Sequence, residues 1–431
     1  MHEVDQTGSS ARASAATTER AAAEPGGAPG GDAAGRASGE AASGEASSGE
    51  ASSAAIAPSG TAAEPGPEGR SSFRLGNRPP LTGVRALCMI PVVVYHSDFH
   101  TLPGAWVPLQ VFFVLSGFLI TAMLAGEGQR NGKVSLGGFY SRRIVRLVPP
   151  LLLTVALLAV YGAFVHVADA SQRLWGDSLA AMTYSDYRQA LGHAPFFGYL
   201  AQTWSLAVEE QFYIIWAVLM VVAVALHKRR LAYGFAIAGM LLSVADRLYL
   251  TYSAPRFDDA VFTRVYYAFD SRADALFVGC LLGLLAADGR FSGWKPAATR
   301  AVAIAAAGAA AFLVWILFSA PLWQENLVVW WLPLSTLASA VIIVFFVTSP
   351  DALGSRLVGL APLVFLGELS YAIYLIHFPV FLALTPGPDG THWSFWPTEL
   401  LRLAIIFAIA CFSWFVIEKP LMRWRQRSAA R

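Results

Sequence analysis

The chain has 431 residues, 55% of them hydrophobic and only 14% charged, with a mean hydropathy of +0.50. A soluble domain is nearer a quarter charged, so thirteen Trp, fourteen Tyr and 27 Phe have too few charges beside them to coat a globule. Soluble, fibrous and nucleic-acid-binding classes are excluded. Cys88, Cys280 and Cys411 all lie inside apolar runs, which excludes a disulfide scaffold and a Cys-rich zinc site.

The net charge of +2 hides a division: residues 1–72 carry ten Asp/Glu and four Arg, while the rest of the chain carries 27 Lys/Arg against 19 Asp/Glu. Residues 1–72 hold no Phe, Trp, Tyr or Leu and contain a short Ala/Ser/Gly/Glu repeat at 37–53. Such a segment cannot bury enough apolar area to offset its ordering entropy, and a disordered polar tail is expected. It lacks the basic start and apolar stretch of a secretory signal peptide.

From Phe73 onward the expectation is an all-α polytopic membrane protein. A span needs ~20 mostly apolar residues. Ten candidates follow in order: 81–99, 105–125, 144–166, 205–226, 231–250, 269–287, 301–319, 329–348, 361–385 and 398–418. Segment 174–190 is too short and polar and reads as re-entrant or interfacial. With both termini in the cytoplasm, ten spans place 20 Lys/Arg on inner flanks and four on outer loops, as the positive-inside rule requires. The expected location is the cell membrane.

Ionisable residues inside spans are costly and mark sites or pairs. They fall at two expected levels. His96 and Asp98, Glu209 and Glu210, Asp270, Arg272 and Asp274, and His377 lie toward outer ends; Arg85, Arg142, Arg143 and Arg146 lie toward the inner face. Arg85 and His96 are eleven steps apart in RALCMIPVVVYH. That is about three helical turns, so both share one face, with Cα atoms ~16 Å apart. Ser370, Tyr374 and His377 follow i, i+4, i+7 spacing on another face. Ser116 and Gly117 in LSGF read as packing residues. The chain has no GxSxG, HExxH, Walker or dinucleotide sequence.

RALCMIPVVVYH resembles the Arg-x10-His signature of the acyltransferase-3 family of integral-membrane O-acyltransferases. The likeness continues through VFFVLSGFLIT (111–121), FYSRRIVRLVPP (139–150), TWSLAVEEQFY (203–213), RADALFVG (272–279), LGELSYAIYLIH (366–377) and IEKPL (417–421). It makes 73–431 an expected acyltransferase domain. The resemblance implies a cytoplasmic acyl-CoA donor, with no bound cofactor or metal, and a carbohydrate or glycosylated-metabolite acceptor. It also implies a catalytic histidine, His96. Glu209 or Glu210, or Asp98, is expected to orient that imidazole. Arg85, Arg142, Arg143, Arg272, Asp274, Ser370, Tyr374 and His377 are expected to bind substrate. The competing reading is a proton-coupled transporter, against which no internal repeat is visible.

Overall fold

The computed structural model describes residues 76, 78–97, 102–164, 178, 181, 198–384 and 395–429. The tail, Asp98 and nearly all of 174–190 lie outside the described residues. Every regular element among those described is helical. The longer helices are α1 (Pro79–His96), α2 (Val107–Asn131), α3 (Leu136–Phe164), α4 (Trp204–Ala225), α5 (Arg229–Ser253), α6 (Asp259–Tyr267), α7 (Asp274–Ala287), α8 (Pro296–Ser319), α9 (Leu332–Thr348), α10 (Ala361–Ala383), α11 (Phe395–Phe412) and α12 (Lys419–Ala429).

Eight helical stretches among the described residues are long and apolar enough to cross a bilayer. The protein is thus a multi-pass membrane protein. The other two expected spans are α1, of 18 residues, and α7, of 14. At 1.5 Å per residue α7 is about 21 Å long, less than a ~30 Å hydrocarbon core. It is tolerated because most of it is buried in protein.

That burial depends on backbone approach. In a bilayer there is little hydrophobic drive between helices, so close packing supplies the contact energy. A Cβ on Gly117 of α2 would run into the Leu276 carbonyl of α7, and one on Gly279 of α7 into the Val114 carbonyl of α2. On the other side, Met89 and Val92 of α1 pack with Leu369, Ala372, Ile373 and Ile376 of α10. The α2–α7 and α1–α10 pairs place Ser116, Arg85 and Tyr374 around a common space.

Because neither glycine can gain a Cβ without moving a backbone, Gly279→Val should cost more than the ~1–3 kcal/mol of ordinary overpacking. Gly308→Val, where a Cβ meets nothing, should be nearly silent. Thermal unfolding in detergent compares the two, and equal midpoints would refute the close-approach account.

Candidate active site

A cavity of about 420 Å³ lies between α1, α2, α3, α4, α10 and α12. Arg85, Arg142, Arg143, Glu209, Glu210, Ser370 and Tyr374 all line it, together with Ser116, Arg146, Ser205, Tyr213 and Arg425. Seven of the expected catalytic and substrate-binding residues are therefore brought to one space.

Helix α3 supplies three cations through its own spacing. Arg143 and Arg146 are three apart and so share a face. Pro149 and Pro150 follow within the helix and lack the N–H groups that would bond the carbonyls of residues 145 and 146. Arg143 donates to Glu210 at 2.7 Å, and its guanidinium lies 3.5 Å over the Tyr213 ring. Arg142 donates at 3.2 Å to Glu127, near the α2–α3 turn, and is partly exposed. Arg425 of α12 donates to Ser141 Oγ at 3.1 Å and to the Gly138 carbonyl at 3.4 Å, tying α12 to the first turns of α3.

Arg85 and Arg146 differ from these three. Both face the cavity, and neither makes a hydrogen bond or ion pair within the described residues. Arg85 shares its surroundings with Arg146, Glu209, Tyr213 and Glu418. Glu418 closes a π-helical stretch, Ser413–Glu418, whose widened turn lets Ser413 Oγ donate back to Glu418 at 2.8 Å. Two guanidiniums with spare donors on one cavity have the chemistry that suits a polyanion.

Glu209 accepts from Ser116 Oγ at 3.0 Å and from the Tyr213 hydroxyl at 2.9 Å. The structure therefore corrects the expectation that Glu209 or Glu210 meets His96 at an outer level. Both carboxylates stand with the arginines. The reason is depth. The helical stretch carrying Glu210 starts at Ala201, not 205, and α3 starts at Leu136, not 144. Glu210 is then about 14 Å and Arg143 about 10 Å inside their respective helix ends, so they meet in the interior.

His96 and His377 lie behind the cavity wall. Their ring centroids are 5.0 Å apart, and His377 lies 5.6 Å from the ring of Tyr374, which lines the cavity. His96 Nδ1 is 2.8 Å from the Val92 carbonyl. A carbonyl only accepts, so Nδ1 carries the hydrogen and Nε2 of the neutral ring keeps its lone pair. The buried His377 is fixed likewise, with Nδ1 at 2.8 Å from the Tyr374 carbonyl and Nε2 without a partner among the described residues. The Tyr374 hydroxyl donates to the Gln202 carbonyl at 2.5 Å and sits 2.8 Å from Ser205 Oγ, locking α10 to the start of α4.

Arg272 and Asp274 do not line this cavity, a second correction. Asp274 takes a bidentate pair from Arg247 of α5 at 2.8 and 3.0 Å, and Arg247 also donates to the Ser271 carbonyl. Arg272 donates to Gln110 at 2.7 Å and lies over the Tyr266 ring at 4.6 Å. These groups pin α5, α7 and α2 together. Arg247 was a charge inside an expected span and so carried its own signal; Glu399 and Arg402, a buried pair in α11, did too. Tyr213 and Ser205 carried none, because hydroxyls inside an apolar run are ordinary.

An all-helical membrane protein with a cationic, carboxylate-containing cavity beside one buried and one half-buried imidazole suits an enzyme that handles an anionic substrate within the bilayer. The sequence profile of the acyltransferase-3 family, described as an acyltransferase domain, matches residues 80–418, and the chain belongs to that family. It is 31% identical over 353 residues to a peptidoglycan O-acetyltransferase of Listeria monocytogenes, covering 80% of this chain and 56% of that one. It is 30% identical over 371 residues to a putative peptidoglycan O-acetyltransferase of Bacillus subtilis, covering 82% and 56%. A putative O-acetyltransferase of Staphylococcus aureus is 29% identical over 317 residues, covering 70% and 50%. The chain spans about half the length of these curated relatives. No solved structure matches.

Removing one member of a buried ion pair leaves an uncompensated charge at a cost of about 3–5 kcal/mol, whereas an apolar pair of similar volume is often neutral. Asp274→Ala should therefore lower the unfolding midpoint strongly, and Arg247→Met combined with Asp274→Leu should recover most of the loss. A double variant no better than the single one would show that the pair does more than satisfy itself.

Proposed function

We propose that the protein is a membrane O-acyltransferase that moves an acyl group, acetyl being the best fit, from acyl-CoA to a hydroxyl of a carbohydrate or glycosylated metabolite. The observation that carries this reading is the cavity in which Arg85 and Arg146 face open space without a hydrogen-bonding partner among the described residues. The CoA phosphates match them, since guanidinium forks bind phosphate through paired, charge-assisted hydrogen bonds.

Arg142 and Arg425 stand where α12 meets the first turns of α3. By the positive-inside rule that side is cytoplasmic, so both termini are assigned to the cytoplasm and acyl-CoA enters from there. His96 lies ~16 Å further along α1 from Arg85. The pantetheine arm spans the interval and carries the thioester toward the histidine level.

His96 Nε2 then takes the proton of the acceptor hydroxyl. With Nδ1 carrying the hydrogen, the Nε2 lone pair is available to take that proton. The Val92 carbonyl holds its tautomer, a task the sequence had assigned to a carboxylate. His377 is a positioning residue, packing edge-on to the His96 ring. The named activities of the relatives support an acetyl group and a cell-wall glycan hydroxyl.

Purified protein in nanodiscs with acetyl-CoA and a chitooligosaccharide tests this. His96→Ala should lower transfer by about 10²–10⁴-fold, the usual worth of a general base, with folding intact. Near-normal turnover would remove His96 from the mechanism. Arg85→Lys and Arg146→Lys keep the charge but lose the fork, and should raise KM for acetyl-CoA by about tenfold. Arg142→Lys, already engaged by Glu127, should change it much less.

A further inference from the structure

One arrangement in the cavity wall has no part in direct transfer. Ser116 presents its hydroxyl to the cavity and donates to Glu209 Oε1 at 3.0 Å. The other oxygen of that carboxylate is held by the Tyr213 hydroxyl at 2.9 Å. The Tyr213 ring is in turn fixed under the Arg143 guanidinium. A nucleophile within hydrogen-bond reach of a base, with the base oriented by a third group, is the arrangement that activates a serine. In the sequence Ser116 had no such setting; the fold brings its base from 93 residues away.

We propose that Ser116 is the first acceptor of the acyl group, so that transfer runs through an acyl-serine. This rests on the acyl-CoA reading above. Ser116 Oγ attacks the thioester carbonyl carbon, and its proton passes to Glu209. A C–O bond forms, and the thioester carbonyl oxygen becomes a tetrahedral oxyanion. Collapse breaks the C–S bond; the thiolate leaves and takes a proton from water at the open end of the cavity. Glu209 keeps the seryl proton. In the second half, the acceptor hydroxyl gives its proton to His96 and attacks the seryl ester. The seryl oxygen leaves, recovers its proton from Glu209, and His96 returns its own to water. The sequence of steps needs no further reactant. It also removes a crowding problem, since CoA departs before the acceptor must share a cavity of about 420 Å³.

The test uses the full chain in nanodiscs with labelled acetyl-CoA and no acceptor, followed by rapid quench and peptide mapping. The expected result is a burst of about one CoA thiol per protein, the kinetic mark of an acyl-enzyme, with the label on the peptide containing Ser116. Ser116→Ala should lose burst and label and reduce transfer to a chitooligosaccharide by about a hundredfold or more. Ser116→Cys should keep a burst but carry the label as a thioester cleaved by neutral hydroxylamine, which separates lost chemistry from lost folding. Glu209→Gln should slow the burst while acetyl-CoA still binds. Acetyl-CoA-dependent transfer by the native protein without burst or label, or near-normal transfer by Ser116→Ala, overturns the acyl-serine alone and leaves the acyltransferase reading standing. A native protein that consumes no acetyl-CoA with or without acceptor overturns both.

Discussion

A charge placed in hydrocarbon without a partner costs several kcal/mol, and the bundle is organised around where its guanidiniums find carboxylates. Arg247 with Asp274, and Arg402 with Glu399, are almost completely buried and matched. Arg143 is matched to Glu210 at the edge of the cavity. Arg85 and Arg146 are left without a hydrogen-bonding partner among the described residues, and they face open space. Matched pairs thus hold helices together, and the buried Arg272 does the same through a neutral amide, donating to Gln110 while it lies over the Tyr266 ring.

The second constraint is the contact between α2 and α7. Gly117 points at the α7 backbone, while its neighbour Ser116, about 100° round the helix, points into the cavity. The LSGF run is therefore divided between helix packing and cavity lining. The close glycine contact fixes the height of α2, and with it the distance from Ser116 to Glu209. A short helix such as α7 can serve this purpose only because protein, not lipid, surrounds it.

The third is the rigidity of the histidine level. Backbone carbonyls of the same helices fix Nδ1 of both His96 and His377. Tyr374 bonds to the Gln202 carbonyl and contacts Ser205, connecting that level to α4. The two levels expected along α1 are present, at Arg85 and at His96. Only the carboxylates changed level, moving from the histidines to the arginines. A carboxylate beside a guanidinium gains a charge-assisted bond that a neutral imidazole does not supply.

The sequence by itself determined the class. Composition, ten apolar stretches and charges at helical spacing set an all-α membrane protein, since hydrophobic length and the 3.6-residue period are local properties. It also picked out most of the cavity's charged groups, because an ionised group inside a span is conspicuous wherever it stands. Only the tertiary structure decided the partners. Glu209 belongs to Ser116 and Tyr213, Glu210 to Arg143, and Asp274 to Arg247. Those choices depend on where each helix starts and how deeply it sits. Helix starts at Leu136 and Ala201 lie in polar or mixed sequence, where hydropathy gives no edge. Depth is set by packing against neighbours, such as the Gly117–Leu276 contact, and no single span contains that information.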